Sequence, residues 1–170
     1  FDSKHFNVTN KVEKNYFLFN SRHESSKRFV EVINFFKRNT NLNLIVTNSG
    51  SLTKEIVFDC FNFKNIVFKS NLSFKQYLDV LKSSKGVIMI PKNEDFGMSA
   101  IEALACNIPV ISLNEGGLKE IFPDNYELFI NLDNFYNSLM DKIKLIQKNN
   151  FENIYFIKIS RKFEMSTFVK

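Results

Sequence analysis

Short apolar runs alternate along this chain with stretches whose apolar residues recur at helical spacing, and that alternation predicts its elements. Residues 16–20, 42–47, 65–68, 87–90, 109–113 and 127–130 read as six short strands. Between them, residues 27–38 carry Phe29, Val32, Ile33 and Phe36 at helical spacing, and a shorter helix is expected near 52–58. Ser73 suits the N-cap of a helix with Phe74, Tyr77, Leu78 and Leu81 on one face. A helix over 98–106, a short helical turn from Gly116-Gly117 through Ile121, and a long amphipathic helix over 135–147 follow. Residues 1–15 read as a polar lead-in or linker and 16–150 as the body. Residues 151–170 read as a closing helix that buries Phe156, Ile159, Phe163 and Phe168.

Strands alternating with helices imply an α/β fold, a doubly wound six-stranded parallel sheet. In the commonest order, 3-2-1-4-5-6, the strand order reverses between strands one and four, and ligands bind at that switch point, outside the carboxyl ends of the strands. The loop after strand one holds Arg22 and Lys27; the loop after strand four holds Glu94 to Gly97. The chemically unusual residues therefore converge on one crevice. Glu102 is the oddest of them. It shares a helix face with Met98, Ile101 and Ala105, residues expected to be buried, so its carboxylate must be paired, protonated or turned to a polar ligand.

Composition narrows the field only a little. At 170 residues the chain suits one domain with a sizeable core. A net charge of +5 admits nucleic acid or anionic partners, but the lysines are spread along polar helix faces, so no nucleic acid is expected. Twenty Phe and no Trp fit a compositional bias rather than an aromatic binding face. Cys60 and Cys106 lack metal-type spacing and read as reduced core residues, in keeping with a cytoplasmic location. No apolar run approaches the ~18 residues of a membrane span. The abrupt start at Phe1 leaves room for an upstream part.

Arg22 and Lys27 bracket a loop that opens a helix, a setting that suits a diphosphate through charge, bidentate donors and free N–H groups. Across the crevice, Phe96, Gly97, Met98 and Ser99 open another helix, and Gly97 would let its backbone approach a ligand. Glu94 and Glu102 stand at most ~12 Å apart along a helix, too far for an acid/base dyad, which needs ~5 to 9.5 Å. They suit two hydroxyl-bearing groups flanking a diphosphate, a hexose and a ribose. Neither G-x-G-x-x-G nor a GK[ST] loop occurs among only five Gly, which weakens nicotinamide-cofactor and nucleotide-hydrolase readings. No cluster of metal ligands is seen, so neither metal nor cofactor is expected. His23 is expected to face solvent.

The segments FLFNSR with Lys27, NIVFKSNLS, VIMIPKNEDFGMSAIEALACNIPVI and EGGLKEI, in that order, resemble the C-terminal, donor-binding domain of retaining glycosyltransferases of the GT-B fold, the group 1 or family-four-like enzymes. The resemblance covers about residues 16–148, and RKFEMSTFVK is similar to the closing helix, with Met165 where a Trp is common. It implies that Arg22 and Lys27 bind the donor diphosphate and stabilise the leaving group, that Glu94 holds the transferred sugar, and that Glu102 holds the ribose. Backbone N–H groups at Phe96 to Ser99 would meet sugar and phosphate, Ser21 would stand in the phosphate loop, and Lys69 to Leu72 would face the nucleobase. Ser21, Ser70 and Asn107 stand where glycines are common. The acceptor, a glycan or lipid-linked group, would sit on an N-terminal domain outside these residues, with peripheral membrane contact allowed for in the full-length protein. A non-catalytic sugar-nucleotide module, or a subunit completed by a partner chain, is the alternative.

Overall fold

The computed structural model describes residue 6, residues 15–148 and residues 154–163. Five parallel strands form one sheet in the order β3-β2-β1-β4-β5: β1 (Phe17–Phe19), β2 (Leu44–Thr47), β3 (Ile66–Lys69), β4 (Gly86–Ile88) and β5 (Val110–Ile111). Helices α1 (Phe29–Arg38), α2 (Thr53–Asp59), α3 (Phe74–Lys82), α4 (Met98–Ala105), α5 (Leu118–Ile121), α6 (Phe135–Lys148) and α7 (Ile154–Arg161) accompany it. The strands read as continuous apolar runs because helices cover the sheet; Phe17, Leu18, Phe19, Leu44, Val87 and Ile88 are all fully buried. On α1 the expected stripe of Phe29, Val32, Ile33 and Phe36 faces that core, joined by Phe35.

The sixth strand is the main correction. Beside β5 the chain makes only an isolated parallel bridge, Ser112 to Phe129. Ser112 donates to Leu128 O and accepts from Ile130 N–H, as a ladder would begin. The Phe129 N–H then turns back to Tyr126 O, and the Tyr126 hydroxyl is tied to Val110 O, so the segment curls instead of extending. Pro109, which has no N–H to give, helps to keep β5 at two residues.

Smaller differences have equally local causes. The helix expected from Lys27 begins as a single 3-10 turn at Ser25–Lys27; Arg28 takes a left-handed φ of 54° and α1 starts only after it. Ser73 does cap α3, through a reciprocal pair with Gln76. Phe74, at the head of the expected apolar face, is 53% exposed, and Val80 and Leu81 are the buried residues of that helix. Met98, expected on the buried face of α4, is 43% exposed, whereas Ile101 and Ala105 are buried as expected. Of the lead-in, Phe6 is buried against the edge of Phe74, at 6.0 Å between ring centroids. Of the closing helix, α7 packs on α4 with Phe156 and Ile159 buried; residues 149–153 and 164–170, with Met165 and Phe168, lie outside the described residues.

Candidate active site

Asn20, Thr47 and Lys69 end or directly follow the first three strands, so parallel register brings them to one edge of the sheet. There they line a cavity of about 500 Å³ together with Asn48, Ser49, Ser70, Asn71 and Leu72 from the following loops. Phe74 and Tyr77 of α3 and Ser99 and Glu102 of α4 close it. Most of its lining residues are polar, and Leu72 and Phe74 add apolar side chains to the wall. Two of its polar atoms, Asn20 Oδ1 and Thr47 Oγ1, are buried without a hydrogen-bond partner among the described residues. A native interior rarely leaves such groups unmatched unless a ligand or water meets them.

Glu102 opens on this cavity. Its Oε2 accepts the Tyr77 hydroxyl at 2.7 Å, and Tyr77 accepts from Asn20 Nδ2 at 2.9 Å. Burial raises the Glu102 pKa above the ordinary carboxylate value, while the Tyr77 hydrogen bond draws it back. Burial, and then the nearby Glu102 charge, push Tyr77 far above the ordinary phenol value, so its proton stays in place to be donated. Leu72 and the segment from Lys69 also line this cavity.

Lys27 and Glu94 meet directly. Lys27 Nζ lies 2.7 Å from Glu94 Oε2, and each side chain is only 17% exposed. The loops beneath them are joined through the backbone, the Lys92 N–H donating to Ser26 O at 2.7 Å. The Glu94 loop is in turn seated on the Gly116-Gly117 pair. Gly117 N–H donates to Glu94 O at 2.7 Å, and a methyl group on Gly117 would overlap the Asp95 carbonyl. Phe163 adds an edge-on contact to Phe96 at 5.7 Å from the closing turn.

Gly97 caps α4 with a φ of 77°. A side chain there would meet Leu118 and Ile121 of α5, so its bareness serves helix packing as well as backbone conformation. The first N–H groups of α4, at Met98 and Ser99, have no acceptor within the helix. Arg22 shares the loop of Lys27, but its side chain is 68% exposed and pairs with Glu24 at 3.3 Å, not with Glu94. Ser21, on the same loop, is half-buried.

His23 is a second correction. It is 1% exposed and stacks on Phe29 at 4.3 Å. Its Nε2–H donates to Thr47 O and its Nδ1 pairs with the Thr53 hydroxyl, each at 2.8 Å. A single His among Arg, Glu and Ser gives no sign of burial in one dimension; the groups that hold its ring, Thr47 and Thr53, arrive from the next βα unit. Asn20, Thr47, Asn48, Ser49, Phe74 and Tyr77 were not singled out by sequence reasoning. The available signal was a polar residue closing each of the first two apolar strands.

An open parallel sheet with a polar, carboxylate-bearing crevice at its strand ends defines a Rossmann-like ligand-binding domain. The chain belongs to the glycosyl transferases group 1 family, whose model matches residues 1–163. An uncharacterized glycosyltransferase of Methanocaldococcus jannaschii is 30% identical over 115 residues, 62% of this chain and 31% of that protein. The chain thus spans less than a third of this relative's length. Among solved structures, the C-terminal domain of LpcC, a glycosyl transferase group 1 family protein from Francisella tularensis, superposes with a TM-score of 0.77 at 16% identity, covering 97% of this chain and 99% of that one. The pneumococcal O-GlcNAc transferase GtfA, solved with UDP and GlcNAc, gives a TM-score of 0.71 at 19% identity over 95% of this chain and 35% of that one. At such identities the likeness is one of fold, the Rossmann-like half of the GT-B architecture.

Proposed function

We propose that this chain is the nucleotide-sugar-binding half of a retaining glycosyltransferase, moving a hexose from a nucleoside diphosphate sugar to a glycan or lipid-linked acceptor. The acceptor would be presented by an N-terminal domain beyond these residues. The observation that carries this reading is the Lys27–Glu94 pair standing on the same strand-end edge as a polar cavity into which Glu102 opens. Lys27 turns to the diphosphate, with Arg22 swinging in from its exposed position, and the two cations stabilise the leaving nucleoside diphosphate as its charge develops. Released from Lys27, Glu94 accepts hydroxyls of the transferred hexose. The Met98 and Ser99 N–H groups receive sugar or phosphate oxygens. Glu102 receives ribose hydroxyls, and the segment from Lys69 to Leu72 walls the base. The reaction as read needs neither metal nor cofactor.

This reading goes with a cytoplasmic enzyme that meets the membrane at its periphery; among the described residues no helix is long and apolar enough to cross a bilayer. Calorimetric titration with UDP, GDP and ADP tests the donor role. One of them is expected to bind, and Arg22→Ala to weaken it by about 1.5–3 kcal/mol, the worth of a charged hydrogen bond. Binding by none of the three would overturn the reading. Equal binding by the variant would remove Arg22 from the site.

A further inference from the structure

Tyr77 lines the cavity, yet its hydroxyl has no proton left to donate to a ligand. Its one proton goes to Glu102 Oε2 at 2.7 Å, and it accepts from Asn20 Nδ2 at 2.9 Å. Asn20 is itself held, its main-chain carbonyl accepting from the Asn48 side chain. The relay therefore runs from the loop after β2, through the end of β1 and the middle of α3, to α4. It ends on a carboxylate that borders the cavity. A glutamate on a helix has three free torsions and would otherwise be free to swing toward water. One charge-assisted hydrogen bond from a phenol fixed at both sides removes that freedom at Oε2 and leaves Oε1 to meet a ligand.

We infer that Tyr77, backed by Asn20, is a positioning residue that orients Glu102 so that the nucleotide is recognised by its ribose hydroxyls. The inference rests on the donor-binding reading above and assigns the source of its sugar discrimination. Tyr77 touches no ligand in this scheme and acts only through Glu102. Two consequences separate it from a merely structural tyrosine. Its loss weakens nucleotides that carry ribose hydroxyls and spares those that lack them. The same loss has no further effect once the Glu102 side chain is truncated.

The test is calorimetric titration of the purified chain with UDP and with 2′,3′-dideoxy-UDP, using the matching pair if GDP or ADP is the better ligand. Wild-type protein is expected to prefer the ribonucleotide by about tenfold or more. Tyr77→Phe, which keeps the ring, should bring that preference below about threefold while dideoxy affinity stays within about twofold. Adding Tyr77→Phe to Glu102→Ala, which leaves Tyr77 no side chain to orient, should change neither affinity. Asn20→Ala is read on the same ratio and is expected to shift it the same way, which keeps the test open if Tyr77→Phe folds poorly. A Tyr77→Phe protein that loses both nucleotides in equal proportion, or neither, overturns the inference and leaves the donor reading standing. Wild-type protein that binds none of the diphosphates overturns both.

Discussion

Glu102 is costly to bury and is kept on the cavity wall by one phenol, so its two roles should come apart on substitution. Glu102→Gln removes the burden of a desolvated charge while Tyr77 can still donate to the amide oxygen. The variant is expected to melt at or above the wild-type temperature in calorimetry, yet to bind the ribonucleotide at least about tenfold more weakly. His23 yields a pH signature of a different kind. Burial lowers its pKa below the ordinary 6.5, so the folded state resists a proton that the unfolded chain takes up. Above about pH 6.5 both states are neutral and nothing is lost. As the pH falls below that value, stability declines until the folded pKa is reached. Thermal melts between pH 7.5 and 5.5 should therefore show a falling midpoint, and His23→Gln should flatten the part of the slope that His23 contributes. A midpoint independent of pH over that span would contradict the buried, neutral imidazole.

At the scale of elements, two turns determine whether the site is built. Helix α4 ends in a Schellman arrangement: Ile108 N–H donates to Ala103 O at 2.9 Å and Asn107 N–H to Leu104 O at 3.0 Å. Asn107 sits at a φ of 56°, a conformation that glycine or asparagine tolerates and a branched side chain does not. Asn107→Gly should be neutral or slightly stabilising in denaturant titration, and Asn107→Val should cost about 1–2 kcal/mol. The other turn is the Gly116-Gly117 seat. Gly117→Ala forces the Glu94 loop away, with an expected loss of about 1–3 kcal/mol, as in other overpacked sites. Diphosphate affinity should fall with it if that loop carries Glu94 to the ligand. Ser21 and Ser70, the other positions where family members often have glycine, have no positive φ, so a serine meets no backbone strain there.

Across the whole molecule, what could be read from one dimension was periodic and local. Apolar runs gave the first five strands, and the helical stripe gave α1; Ser73 with Gln76 marked the start of α3. The meeting of the first and fourth loops followed from strand order, because the order reverses between those strands; the ion pair of Lys27 with Glu94 that joins them was not foreseen. What escaped depended on partners distant in sequence. The His23 ring is held by Thr47 and Thr53, Tyr77 finds Glu102 across 25 positions, and the segment at 127–130 is curled by a tyrosine tied to β5. Phe74 and Met98 are exposed because each is the first residue of its helix, where the apolar stripe runs out past the core, and Phe74 borders the cavity. The central claim is that this strand-end edge holds a nucleoside diphosphate. It is tested most directly by following backbone amide resonances of the ¹⁵N-labelled chain during titration with UDP, GDP or ADP. Saturable shifts should concentrate at Asn20 to Lys27, Lys69 to Tyr77 and Glu94 to Glu102. Saturable shifts confined to α2 and α6, with those three segments unmoved, would contradict it.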